Sequence, residues 1–229
     1  MTTPQPARSA PERNVLEGRY VRLEPLERRH AADLLAASQG QGVPERYRWL
    51  FEFAPTTLVE AETFIDRVNA GTDRYVAVID RATGRAVGRQ AWMRIFPEHA
   101  SIEIGGGYWG PAMARTRLAT EALFLFARHA FDDLGYRRFE WKCNDRNEPS
   151  KAAALRFGFT PEGVFRQDRI VKGENRDTAW FSIIDGEWPG LRAEYERWLA
   201  EENFDADGVQ RTRLNTRTII PPPAAAPHP

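Results

Sequence analysis

Ile102-Glu103-Ile104 leads into Gly105-Gly106-Gly107, and the chain then reads Ala114-Arg115-Thr116-Arg117-Leu118-Ala119-Thr120-Glu121-Ala122 before a long helical pattern. A strand that hands over to a helix start presents unpaired first-turn amides and the positive end of the helix dipole, a seat suited to phosphate or pyrophosphate. Arg115 and Arg117 add positive charge there, and Thr116 is placed to cap the helix. Two arginines at an exposed helix start equally describe a solvated face, so the rest of the chain must decide between the two. The same loop spells Gly105-x-Gly107-x-x-Gly110, the pattern of a dinucleotide-binding turn. That fold requires alternating βαβ units, a third glycine at the helix start and an acid closing the next strand. The preceding segment reads instead as consecutive strands, Pro111 and Met113 intervene before helical periodicity begins, and only Asp145 offers the acid. The dinucleotide reading is therefore set aside.

Other residues that could do chemistry give less. His30, His99, His129 and His228 are scattered and form no two-histidine helical pair, so no metal site is expected. Cys143 closes a strand after Trp141 and is read as inert. Trp92 and Trp141 lie on strands expected to be central, where they either pack the core or line an acceptor pocket. Asn147, three residues before Ser150, has the spacing of a helix N-cap.

The elements that must position these residues follow from periodicity. Residues 20–24 alternate as a strand and stop at Pro25. Apolar residues at helical spacing mark helices over 28–38 and 58–70. Residues 75–79 and 86–95 read as a hairpin around the turn 80–84, joined by a third strand over 100–104. The strongest helix covers 118–134, with Gly135 as its stop. A strand over 138–143, a short helix over 150–157 closed by Gly158, strands over 162–171 and 179–184 around a Lys172-Gly173-Glu174-Asn175 turn, and a helix over 188–202 complete the series. The order lacks strict βαβ alternation, which predicts a mixed sheet with helices on its faces.

Composition narrows the function classes. With 229 residues and 42% hydrophobic content the chain can bury a core. Lys and Arg total 32 and Asp and Glu total 32, so no net charge drives binding to nucleic acid or an anionic membrane, and neither is expected as a partner. A single cysteine fits a reducing compartment, no apolar run is long enough to span a membrane, and no secretory leader is visible, so a cytoplasmic location is expected. Residues 1–12 and the Pro/Ala-rich end of 206–229 read as disordered tails around one domain over 13–205.

Taken together, Glu103-Ile104-Gly105, Leu118-Ala119-Thr120-Glu121-Ala122, the segment 131–135, Asn147-Glu148-Pro149-Ser150, and Gly158-Phe159 with Glu162-Gly163 resemble the Gcn5-related N-acetyltransferases (GNAT), and most nearly the ribosomal-protein alanine acetyltransferase branch. The resemblance runs over about 15–199 and is specific in combination rather than motif by motif. It implies a GNAT-type α/β (α+β) fold, a mixed, centrally splayed sheet of about seven strands flanked by helices. It also implies acetyl-CoA as co-substrate, with no metal. The pyrophosphate would lie on the backbone of Ala114, Arg115, Thr116, Arg117, Leu118, Ala119 and Thr120. The pantetheine arm would pair with the strand at Ile104 and Gly105 and meet Asn147. Since an amine must be neutral to attack a thioester, a base is needed, and Glu103 stands where this branch often carries an acid. Ser150 resembles the serine proposed to protonate the leaving thiolate, and Trp92 and Trp141 would line the acceptor.

Two departures stand out. Arg117 occupies the usual central glycine of the pyrophosphate loop, and Ala154 occupies the position of a tyrosine that many relatives use as general acid. They leave a second reading open, a non-catalytic acyl-CoA-binding sensor or scaffold. The expectation is direct transfer of an acetyl group to a primary amine, on a protein N-terminus, another peptide or a small molecule, by an enzyme that is either monomeric or a homodimer. The segment 39–57, which would build the acceptor cleft, carries no specific motif.

Overall fold

The computed structural model describes residues 3–217, so the Pro/Ala-rich end at 221–229, with His228, lies outside the described residues. Eight strands run in the sheet order β1-β2-β3-β4-β5-β6-β8-β7, one more than the resemblance implied, because Leu16–Glu17 adds a short edge strand, β1. The remaining strands are β2 (Val21–Pro25), β3 (Arg74–Asp80), β4 (Ala86–Phe96), β5 (Ser101–Trp109), β6 (Arg138–Asn144), β7 (Thr160–Val171) and β8 (Glu174–Ile184). The helices are α1 (Ala31–Ala37), α2 (Val43–Tyr47), α3 (Leu58–Asn69), α4 (Arg117–Arg128), α5 (Glu148–Arg156) and α6 (Trp188–Leu199). The chain divides between Phe139 and Glu140 into two compact units. No helix among the described residues is long and apolar enough to cross a membrane.

In the amino-terminal unit β1 to β5 form an antiparallel meander. Strand side chains alternate between faces, and the register sorts them. Tyr75, Ala77, Arg89, Ala91, Met93, Glu103 and Gly105 share one face, because Tyr75 pairs with Ala91, Ala91 with Gly105 and Met93 with Glu103. Trp92 and Ile104 pair with each other on the opposite face. The first face carries the core of Leu26, Ala31, Leu34, Ala61, Ile65, Ala77, Ile79 and Ala86, which joins α1 and α3 to the sheet. The second face meets α4, where the Trp92 ring stacks on Phe126 at 3.7 Å and Gln90 Nε2 donates to the Ala122 carbonyl at 3.0 Å. The amino-terminal segment is anchored in the same unit: Ala7 N–H bonds the Pro97 carbonyl and Arg8 N–H the Leu134 carbonyl, both at 2.8 Å.

Glycines 105–107 are strand, not loop. β5 continues through them to Trp109, with an irregularity in its pairing to β4 between Ala91 and Arg89 where Gly106 takes φ of 58°. The third glycine of the dinucleotide pattern, Gly110, lies well before the helix, which starts at Arg117, so that alternative fails on geometry. The long helix expected over 118–134 is α4 followed by a π-helical turn over His129–Asp133, closed by Gly135 with φ of 72°.

The carboxyl-terminal unit is built on a β7–β8 hairpin around Lys172 and Gly173, both with positive φ. α5 and α6 belong to it, and Tyr195, fully buried in α6, donates its hydroxyl hydrogen to the Phe157 carbonyl at 2.8 Å.

Candidate active site

Glu103 is 4% exposed on β5, where its register partner is Met93. Its carboxylate leans along the strand toward Gly105, since a Cβ built on Gly105 would come within 3.0 Å of Glu103 Oε1 and 2.4 Å of Met93 Sδ. Gly105 is thus the residue that leaves room for the carboxylate. Arg94, with φ of 45° at a break in the β4–β5 pairing, brings its Nε to 3.8 Å from Glu103 Oε2. A buried acid held this way can accept a proton from a group that enters over the strand.

The chain from Gly110 to Thr116 folds as successive turns: Met113 N–H and Ala114 N–H both bond the Gly110 carbonyl, and Thr116 N–H bonds that of Met113. Arg115 adopts φ of 66°, which turns the backbone into the helix. Thr116 is the N-cap expected from its type, its Oγ1 accepting from Leu118 N–H at 3.2 Å. The guanidinium of Arg117 stacks 4.2 Å above the Tyr20 ring. Ala119 and Thr120 are buried, so the first turn of α4 is seated in the unit rather than projecting from it.

Glu121 was not singled out from the sequence, yet it fixes this helix start. Its carboxylate is 4% exposed and accepts the N–H groups of Arg19 at 2.8 Å, Tyr20 at 2.6 Å and Val21 at 2.7 Å. A carboxylate satisfying several backbone donors is a strong, charge-assisted clasp. The signal in the sequence was an acid inside an otherwise apolar helical stripe.

Arg89 and Glu52 were also missed. Arg89 is buried on the face that carries Glu103, and its guanidinium is paired with Glu52 and with the carbonyl of Gly106. It lies 4.1 Å above the Phe64 ring and 5.8 Å from that of Tyr75. Tyr75 in turn needs Gly106, since a Cβ there would come within 2.6 Å of its hydroxyl oxygen. Burial raises the phenol pKa values of Tyr47, Tyr75 and Tyr108, and the charge of Arg89 only partly offsets this, so all three stay protonated at neutral pH. The sequence signal was an arginine inside an apolar strand.

In the carboxyl-terminal unit Asn147 is the N-cap of α5, its Oδ1 accepting from Ser150 N–H at 3.2 Å. Ser150 Oγ accepts from Trp141 Nε1 at 3.1 Å, which orients the hydroxyl toward its other neighbour, the Cys143 thiol. Trp141 packs against Phe157 and Phe159. Burial raises the pKa of the Cys143 thiol, with Ser150 lowering it in part, so Cys143 is a protonated core thiol. Ala154 is fully buried. Trp92, by contrast, faces away from Glu103 and is 2% exposed between Phe126 and Phe139, surroundings that fit core packing. Among the described residues no three His, Cys, Asp or Glu side chains gather as a metal site.

Comparison with known proteins gives this arrangement its class. Residues 21–160 match the acetyltransferase (GNAT) domain family, and the chain belongs to that family. It is similar to a crystal structure of a GCN5-related N-acetyltransferase from Brucella melitensis, with 52% identity, a TM-score of 0.89, and coverage of 92% of this chain and 96% of that one. It is 26% identical over 143 residues to the uncharacterized N-acetyltransferase p20 of Bacillus licheniformis, 59% of this chain and 78% of p20. It is also 31% identical over 85 residues to YdaF of Bacillus subtilis, provisionally named a ribosomal N-acetyltransferase, 37% of this chain and 46% of YdaF. The name of YdaF agrees with the ribosomal-protein branch that the motifs resemble, and the family uses acetyl-CoA as acyl donor.

Proposed function

We propose that the protein transfers the acetyl group of acetyl-CoA directly to a primary amine, with Glu103 as general base. The observation that carries this reading is the buried carboxylate of Glu103 lying over Gly105, on the strand that leads to the turns preceding α4. The amine arrives as an ammonium and must lose a proton before its nitrogen can attack the thioester carbonyl carbon; Glu103, directly or through water, takes that proton. As the tetrahedral intermediate collapses, the carbon–sulfur bond breaks and the thiolate of CoA leaves; Ser150, its oxygen fixed by Trp141 Nε1, hands the thiolate a proton and is restored by the second proton that the amine nitrogen sheds on becoming an amide.

The donor's pyrophosphate is assigned to the backbone of residues 114–120, and its pantetheine arm to Ile104, Gly105 and Asn147. Trp141 is assigned to the acceptor wall. Trp92 packs on Phe126 from the other face of the sheet. A protein N-terminus, another peptide and a small-molecule amine are the acceptor classes of this reading, which also takes a cytoplasmic location and a homodimer as its working expectations.

The test is calorimetric titration with acetyl-CoA, with free CoA and a nicotinamide dinucleotide in parallel, followed by thiol release with amine panels. Saturable binding of acetyl-CoA near one per chain, with amine-dependent release of CoA, is expected. Binding without release under any amine would favour the sensor reading, and absence of binding would remove both.

A further inference from the structure

The Arg89–Glu52 pair points beyond the transfer step to the kind of amine that enters. Glu52 lies in the segment 48–57, between α2 and α3, and its side chain is 21% exposed while that of Arg89 is 4% exposed. One carboxylate oxygen, Oε1, is held by Arg89 Nη2. No hydrogen bond of Oε2 is found among the described residues, and the side chain that carries it is partly open to solvent. The other side of Arg89 is fixed by the Gly106 carbonyl, next in the chain to Gly105, over which the Glu103 carboxylate lies. Arg89 thus ties Glu52 to the backbone one residue beyond Gly105, on the strand that carries Glu103.

The neighbours of Glu52 have opposite character. Phe51 is 54% and Phe53 is 75% exposed, and Leu58 and Val59 at the start of α3 are 44% and 69% exposed. The segment thus offers a fixed carboxylate oxygen set among outward-facing apolar side chains. Burying a guanidinium is costly unless its partners hold it in fixed geometry, so Arg89 makes Glu52 a rigid anion rather than a wandering surface side chain.

We infer that Glu52 receives the acceptor's ammonium group before deprotonation, with Arg89 as its positioning residue, and that the acceptor is a primary alkylammonium carrying an apolar substituent next to the amine. The inference rests on the acetyl-transfer reading and deepens it. Glu52 draws the charged amine in and Glu103 then takes its proton, so the two carboxylates divide capture and activation. Since Glu52 carries an anion against a cation, its contribution should vanish for a neutral molecule of the same shape.

The experiment compares the parent protein with Glu52→Gln, an isosteric change whose amide oxygen still accepts from Arg89. The probes are 2-phenylethylamine and its neutral isostere 2-phenylethanol, each titrated calorimetrically into the CoA-bound protein, with the amine also assayed for CoA release. Glu52→Gln is expected to weaken 2-phenylethylamine and raise its KM roughly tenfold or more, and to leave 2-phenylethanol binding, acetyl-CoA binding and kcat within about threefold. Glu52→Asp should recover part of the loss. Equal weakening of amine and alcohol would show that Glu52 only shapes the segment, and an unchanged amine would remove it from recognition; either overturns the inference. So does a parent protein that binds acetyl-CoA yet takes up neither probe, whereas failure to bind acetyl-CoA at all defeats the transfer reading itself.

Discussion

Gly105→Ala isolates the seat of the candidate base. The backbone there has no positive φ, so the strain of an added methyl is steric rather than conformational. The new carbon would stand 2.4 Å from Met93 Sδ and 3.0 Å from Glu103 Oε1. Ordinary contact needs about 3.5–4.0 Å, so the sulfur must retreat by about 1 Å or more and the carboxylate by at least half that. Met93 is half-buried with a flexible side chain and can yield, which sets the stability cost at about 1–2 kcal/mol, or a few degrees in Tm. The carboxylate cannot yield without losing its position, and misplacement of that order costs up to about 100-fold in rate. Thermal denaturation and a thiol-release assay on the same preparation should therefore show a folded protein with kcat/KM down about 10- to 100-fold. A folded Gly105→Ala protein with kcat/KM within about twofold of the parent would refute the reasoning, because the carboxylate's place over residue 105 would then not matter to turnover.

Other expectations follow from contacts outside the transfer site. Glu121→Ala removes the acceptor of three buried or half-buried N–H groups, from Arg19, Tyr20 and Val21, and should cost about 3–5 kcal/mol, read as a fall in the denaturant midpoint with little change in m. An unchanged midpoint would mean that water replaces the clasp at no loss. His30 is held neutral: Glu27 N–H donates to its Nδ1 at 3.1 Å, and burial, with Arg29 nearby, lowers its pKa despite the opposing pull of Glu24. The unfolded chain therefore takes up the proton first, so stability is lost as pH falls below about 6.5 and the loss levels off below the folded pKa. Comparing parent and His30→Gln by thermal melts between about pH 7.5 and 5 should show the steeper decline in the parent, and parallel curves would contradict this.

How much of this was legible in the sequence depends on which residues carried it. Thr116 and Asn147 were readable as caps because capping chemistry is local, and most strands and helices that followed period 2 or 3.6 were found within a few residues, though β5 runs five residues past its expected end and β8 starts five residues before its expected beginning. The short β1 and α2 were not, since Leu16–Glu17 and Val43–Tyr47 are too brief to show a period. The run of glycines at 105–107 read as a loop because a strand interior normally excludes glycine. At Gly105 and Gly106 the reason is tertiary: Met93, Glu103 and Tyr75 fill the space that side chains would need, whereas nothing stands within 4 Å at Gly107. Trp92 was read as core sooner than pocket, and its pairing with Ile104 sets it on the face that meets α4. Arg89, Glu52 and Glu121 escaped because their partners lie 37 positions away for the first two and 102 to 100 for the third, a separation no periodicity records.

The central claim is that Glu103 takes the proton from the acceptor amine, and Glu103→Gln tests it most directly. The variant keeps the side chain's size and loses only its basicity. Acetyl-CoA affinity measured by calorimetry should stay within about threefold of the parent, while kcat falls by about 10²- to 10⁴-fold and the residual rate rises with pH as free amine becomes available without a base. A Glu103→Gln protein that turns over at the parent rate across the pH range would contradict the account and return Glu103 to the role of a buried strand carboxylate.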